Sequence, residues 1–154
     1  MARAARLARE LSNFQTRPPW GITCHPEKED CYDVLIATLV GPKGSPYEGS
    51  TFKLIINIPD RYPFAPPHVK FVSSVYHPNI DKGGRICMDM LKMPPKGSWL
   101  PTITLENLLI SVQILLANPN TDDPLDIDIA QEYINNIEQF NKNAQRRAGI
   151  TDSV

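Results

Sequence analysis

The sequence predicts an α+β protein in which a small antiparallel sheet packs on helices, and three observations carry that prediction. Three β-branched segments follow one another between Tyr32 and Val72 with only turn-rich connections between them, a spacing that suits antiparallel neighbours rather than parallel strands with crossover helices. The segment "TLENLLISVQILLA" then repeats its apolar residues at helical rather than strand period. A further helical stripe opens the chain. At 154 residues the length suits one domain with one core.

Each element has its own reason. Leu7, Leu11 and Phe14 share one helical face while Arg3, Arg6 and Arg9 fall largely on others, which describes an amphipathic helix over residues 2 to 14. "RPPWG" stops it. "DVLIATLVG", "TFKLIINI" and "HVKFV" are the strands, and in the second of them Phe52, Leu54, Ile56 and Ile58 alternate onto one face. Between them lie "GPKGSPYEGS" and "PDRYPFAPP", rich in turn formers. The long helix buries Leu105, Leu108, Leu109, Val112 and Leu116, and two shorter helices follow at Ile127 to Asn135 and Ile137 to Arg147.

Composition excludes several classes of function. Sixteen basic residues against 17 acidic ones leave no global field for nucleic acid, so charge recognition has to be local. "LLISVQILLA" is far too short for a membrane span, and arginines occupy the N-terminus where a signal peptide needs apolar residues. A soluble intracellular protein is expected. Cys24, Cys31 and Cys87 do not pair evenly, and no CxxC or His-rich spacing suggests a metal. Cys24 and Cys31 read as small buried apolar residues.

Residues 73 to 103 differ from the rest. They lack periodicity but contain Tyr76, Ile80, Ile86, Leu91 and Trp99, enough apolar material to hold a long loop in place. Ordered irregular segments of this length are usually functional. The stretch "YHPNIDKGGRICMDML" places His77, Asn79 and Cys87 close together. Cys87 is a candidate nucleophile. His77 is either its base or, restricted by the following Pro78, a group bonded to backbone. Asn79 is either an oxyanion donor or a residue serving its own turn. No thiol-protease signature surrounds the cysteine.

"HPNI" followed by "GRICMDML", with "YPFAPP", "GSWLPTITLENLL" and "NPNTDDPL" in the same order and register, resembles the ubiquitin-conjugating enzymes over residues 2 to about 147. The resemblance implies a single domain across 1–154 with a short tail from 148. It implies the family fold: an N-terminal helix, a four-stranded antiparallel meander, an active-site loop, a central helix and two C-terminal helices. The fourth strand escapes the periodicity reading and is expected to be short. The implied chemistry makes Cys87 the acceptor of ubiquitin from an activating enzyme and a lysine of a target protein the next acceptor. Asn79 stabilises the oxyanion, His77 supports the loop, and Asp123 orients the amine. From the residues alone Asp123 is equally a solvated cap for the helix starting near Asp126. No cofactor is implied, because ATP is consumed by the activating enzyme.

The implied docking surface for a RING-type ligase is Arg3, Arg6, Arg9, Phe64, Leu100 and Pro101. "KMPPKGS" is longer than its counterpart in the commonest members, and with "PPWGITC" it is similar to the T-type branch, which works with the Fanconi anaemia RING ligase to attach single ubiquitins in DNA crosslink repair. That branch implies a nuclear and cytoplasmic protein. Competing readings are a same-fold enzyme for a ubiquitin-like modifier, a non-catalytic ubiquitin-binding variant, which would lack the cysteine, and a free-standing thiol hydrolase.

Overall fold

The computed structural model describes residues 2–148; the tail expected from 148 lies, beyond Ala148, outside them. Helix α1 spans Ala2–Thr16 and buries Leu7, Leu11 and Phe14 as the stripe predicts, together with Glu10 on the same face. Four strands follow, β1 (Ile22–Lys28), β2 (Cys31–Val40), β3 (Thr51–Asn57) and β4 (His68–Phe71). They form one antiparallel meander in sequence order. Its register stacks inward residues across the sheet: Cys24 opposite Ala37, Ala37 opposite Leu54, Leu54 opposite Phe71. Because side chains alternate faces along a strand, Leu35, Ile56 and Val69 fall on that same inner face and are buried with them.

The strand that periodicity misses is β1, and it is not short. It has seven residues, whereas β4 has four. Only its first half alternates, since Ile22 and Cys24 are buried while the end, "PEK", is polar and half-exposed to exposed. Pro26 has no N–H for a ladder on both sides, and it is accommodated because β1 is an edge strand.

Helix α2 (Leu105–Ala117) lies against β2 and buries Leu105, Leu108, Leu109, Val112 and Leu116. Thr104 and Asn107 close a reciprocal capping box at its start. Helices α3 (Ile127–Asn135) and α4 (Ile137–Arg147) pack on each other. Among the described residues no helix is long and apolar enough to cross a membrane. Cys24 is buried in the core, and burial, reinforced by the Glu10 carboxylate, pushes its thiol up to about 12. Cys31 departs from expectation: it is half-exposed, with its sulfur 3.7 Å from an Asp33 carboxylate oxygen, because it is the first residue of β2, at the hairpin turn.

Candidate active site

The irregular segment from 73 to 103 is ordered by burying its apolar residues: Val75, Ile80, Ile86 and Trp99 all belong to the core. From Asn79 to Cys87 the chain doubles back on itself. The Cys87 N–H donates to the Asn79 carbonyl at 2.8 Å and the Asp81 N–H to the Arg85 carbonyl at 3.0 Å. Asp81 binds Arg85 through both backbone and side chain. Gly84 is required at the return: its φ is +88°, and a Cβ there would sit 2.0 Å from the Phe71 carbonyl oxygen. Phe71 in turn donates its N–H to the Gly84 carbonyl at 2.9 Å, which fastens this turn to β4.

His77 is fully buried, and its tautomer follows from its neighbours. The Asn79 backbone N–H, which can only donate, lies 3.0 Å from Nδ1, so Nδ1 accepts. Nε2 therefore carries the proton and donates to the Leu115 carbonyl at 2.7 Å. Both nitrogens are occupied, and burial lowers the imidazole to about 4 against the pull of the Leu115 bond. Of the two readings left open for His77, the geometry favours the group bonded to backbone. It ties the cysteine loop to the last turn of α2.

Asn79 is likewise fully buried. Its Oδ1 accepts from the Asn120 N–H at 2.8 Å, and its Nδ2 donates to the Asn120 carbonyl at 2.8 Å and the Asp123 carbonyl at 3.4 Å. These three bonds clamp the 120–123 segment against the cysteine loop, and the Leu125 and Asp126 N–H groups add two more to the Pro78 carbonyl. Asn79 thus serves not its own turn but a segment about forty residues away. An oxyanion donor would have to be released from one of the two carbonyls, of which Asp123's is the longer and weaker contact.

The clamp carries Asp123 to Cys87. The half-exposed Cys87 thiol faces the Asp123 Oδ2 at 3.6 Å, with the Lys92 Nζ at 4.0 Å. Partial burial raises the thiol's pKa; Lys92 opposes that, and Asp123 and Asp89 reinforce it. Asp123 does not cap α3, since the Asp126 side chain does so by accepting from the Ile129 N–H at 3.0 Å. Lys92 was missed by motif reading, although its place five residues after Cys87 was a usable signal. Among the described residues no cluster of His, Cys, Asp and Glu could hold a metal ion.

The residues of the expected docking surface separate into two groups. Phe64 and Leu100 are 59 % and 55 % exposed. The residues before them are bonded together, Trp99 Nε1 donating to the Pro63 carbonyl at 3.0 Å. Arg9 is exposed. Arg3 and Arg6 instead spend donors inside the molecule. Arg3 reaches the Pro59 and Ile58 carbonyls and Asp33. Arg6 donates to the carbonyls of Pro101 at 2.6 Å and Ile103 at 2.7 Å.

A meander backed by α2, with a cysteine on an ordered loop between them and an asparagine clamping an acid beside it, defines a class: the profile of the ubiquitin-conjugating enzymes matches residues 6–148, and the chain belongs to that family. It is a ubiquitin-transferring enzyme. The human ubiquitin-conjugating enzyme E2 T is 50% identical over 146 residues, covering 95% of this chain and 74% of the relative. The Xenopus laevis E2 T is 47% identical, with 95% and 76% covered. The ubiquitin-conjugating enzyme E2 N of Macaca fascicularis is 41% identical over 133 residues, 85% and 83% of the two chains.

Proposed function

We propose that Cys87 accepts ubiquitin from an activating enzyme as a thioester and passes it to a lysine of a target protein, with a RING-type ligase docked on Phe64 and Leu100. The observation that carries this reading is a half-exposed Cys87 thiol with a carboxylate oxygen 3.6 Å away, while both nitrogens of the nearby His77 in the same loop are already bonded to backbone. Such a site suits an already activated acyl group and not amide hydrolysis, which needs a strong base. In loading, the Cys87 sulfur attacks the activating enzyme's thioester carbonyl. A new carbon–sulfur bond forms as Cys87 gives up its proton, the old one breaks, and the departing sulfur leaves as the other enzyme's thiolate, which takes up a proton in turn. Nothing in this exchange requires a cofactor here, because ATP is consumed earlier by the activating enzyme.

In discharge the lysine amine attacks the carbonyl carried on Cys87. Its nitrogen then lies within reach of the Asp123 carboxylate, which takes a proton from it, while the carbon–sulfur bond breaks and Cys87 leaves as thiolate to be reprotonated. Asn79 holds Asp123 in place and, by exchanging its 3.4 Å contact, donates to the oxyanion. The likeness to enzymes named E2 T supports a T-type role: single ubiquitins attached with the Fanconi anaemia RING ligase in DNA crosslink repair, in nucleus and cytoplasm.

The test is the chemistry of the adduct. With ubiquitin, ATP and activating enzyme, Cys87→Ser should form a conjugate resistant to reducing agent, because an oxyester replaces the thioester. Cys24→Ser and Cys31→Ser should load through Cys87 as the unmodified protein does. A thiol-sensitive adduct on Cys87→Ala would overturn the assignment, and charging by the activating enzyme of a ubiquitin-like modifier in place of ubiquitin's own would redirect it.

A further inference from the structure

Glu10 is the buried charge that the site just described does not use. It lies on the inner face of α1 at 6 % exposure, among Leu7, Leu11 and Phe14, which already supply an apolar stripe for adhesion. A carboxylate in such a place is costly to desolvate, and a well-packed apolar side chain often stabilises as much or more. What the carboxylate adds is geometry, because it accepts from three segments at once. Oε1 takes the Leu105 N–H, the first of α2, at 2.6 Å. Oε2 takes the Arg6 Nε–H at 3.1 Å and the Tyr62 hydroxyl.

Those partners reach the two exposed apolar side chains from behind. Tyr62 stands two residues before Phe64 and packs its ring on Trp99, with centroids 6.1 Å apart. Trp99 precedes Leu100 and bonds the Pro63 carbonyl. Arg6, oriented by Glu10, lies over the Tyr62 ring at 5.6 Å. Its remaining donors take the carbonyls of Pro101 and Ile103, which bracket the turn after Leu100. Every link from the carboxylate therefore ends on a loop carrying Phe64 or Leu100, or on the helix that follows them.

We infer that Glu10 is a positioning residue for ligase docking: without touching the ligase, it sets the relative placement of Phe64 and Leu100 through Tyr62 and Arg6. The inference rests on the ligase surface proposed above. A carboxylate has two acceptor oxygens, whereas the amide of Glu10→Gln has one: with that oxygen on Leu105 its NH2 can donate to the Tyr62 hydroxyl but cannot accept from Arg6, and with the oxygen on Arg6 and Tyr62 the Leu105 N–H loses its acceptor. Tyr62→Phe cuts a single donor from the same network and is the milder variant should the first fail to fold.

The experiment preloads each variant with ubiquitin and follows discharge onto free lysine against increasing concentrations of the Fanconi anaemia RING domain, with melting temperature recorded alongside. Ligase-free discharge should stay within about twofold, since the cysteine loop is untouched. The ligase concentration giving half-maximal stimulation should rise about tenfold for Glu10→Gln, the scale of losing one charge-assisted bond, and less for Tyr62→Phe. The rate at saturating ligase should hold. In a Leu100→Ala background the Glu10→Gln effect should shrink, because the anchor through which it acts is gone.

An effect of equal size in that background, or an unchanged half-maximal concentration in Glu10→Gln and Tyr62→Phe whatever their melting temperatures, overturns the inference. Phe64→Ala separates the two levels. If it weakens stimulation while both network variants do not, the docking surface stands and Glu10 has no part in it; if it too is without effect, the docking surface itself fails.

Discussion

Asn79→Ala probes how the cysteine loop and the acid beside it depend on each other. The substitution removes three hydrogen bonds, of 2.8, 2.8 and 3.4 Å, between the cysteine loop and the 120–123 segment. At ~1 kcal/mol net each, about 3 kcal/mol of tethering is lost, which favours departure of that segment by ~10². Asp123 rides on the segment, so its carboxylate loses its station beside Cys87. Asp123→Asn removes the carboxylate alone. Its discharge should be slow near neutral pH and should recover as pH approaches ~10.4, where the free lysine amine needs no base.

Asn79→Ala should share that recovery, because much of its defect is a displaced Asp123. A residual deficit near pH 10, up to ~10², then measures oxyanion donation by itself. Single-turnover discharge of the preformed thioester onto free lysine, from about pH 7 to pH 10, reads both profiles, and loading of Cys87 should suffer less in either variant. If the Asn79→Ala profile ran parallel to that of the unmodified protein at every pH, the clamp would have no kinetic role. A normal rate for Asp123→Asn throughout would remove Asp123 from the chemistry.

Phe64→Ala should load ubiquitin near normally and lose ligase-stimulated discharge, because the 59 % exposed ring is available to a partner while the substitution leaves the Cys87 sulfur unchanged; equal stimulation of both proteins by a cognate ligase would refute this. Iodoacetamide alkylation of Cys87 should be slow at neutral pH, where its raised pKa keeps the thiol protonated. Asp123→Asn should speed it and Lys92→Gln slow it, and opposite signs in the rate-against-pH curves would show that these charges do not govern the sulfur. His77 is held near 4 when folded against about 6.5 unfolded, so its stabilisation is complete above pH 6.5 and is lost as pH falls towards 4. That linkage amounts to roughly 3 kcal/mol. Denaturant titrations from pH 7 to pH 4 should therefore show a stability slope that His77→Gln lacks, and an identical slope in both proteins would contradict the buried neutral imidazole.

Much of this protein is legible in its sequence, for a physical reason. The inner residues of β2, β3 and α2 recur at the period of their own backbone, so one face of each element is marked whatever it packs against. The loop of Cys87 is legible by contrast, as a long stretch without period that still holds Ile80, Ile86 and Trp99. Strand β1 is not, because an edge strand with Pro26 and a polar end satisfies burial only at Ile22 and Cys24 and carries too little alternation to register.

What tertiary structure alone decides is which partner each polar group finds. His77 and Asn79 are close in sequence to Cys87, yet their side chains are spent on Leu115, Asn120 and Asp123, some forty residues on. Asp123 reaches the sulfur only because that clamp brings it there, and its competing reading as a helix cap falls to Asp126, three residues away. Arg6 shares the charge pattern of Arg9, but the fold turns it inward to Glu10, Pro101 and Ile103. Apolar residues need only the nearest apolar neighbours, so pattern suffices to place them. Hydrogen bonds and ion pairs need particular atoms at particular distances, and those are set by how distant segments meet.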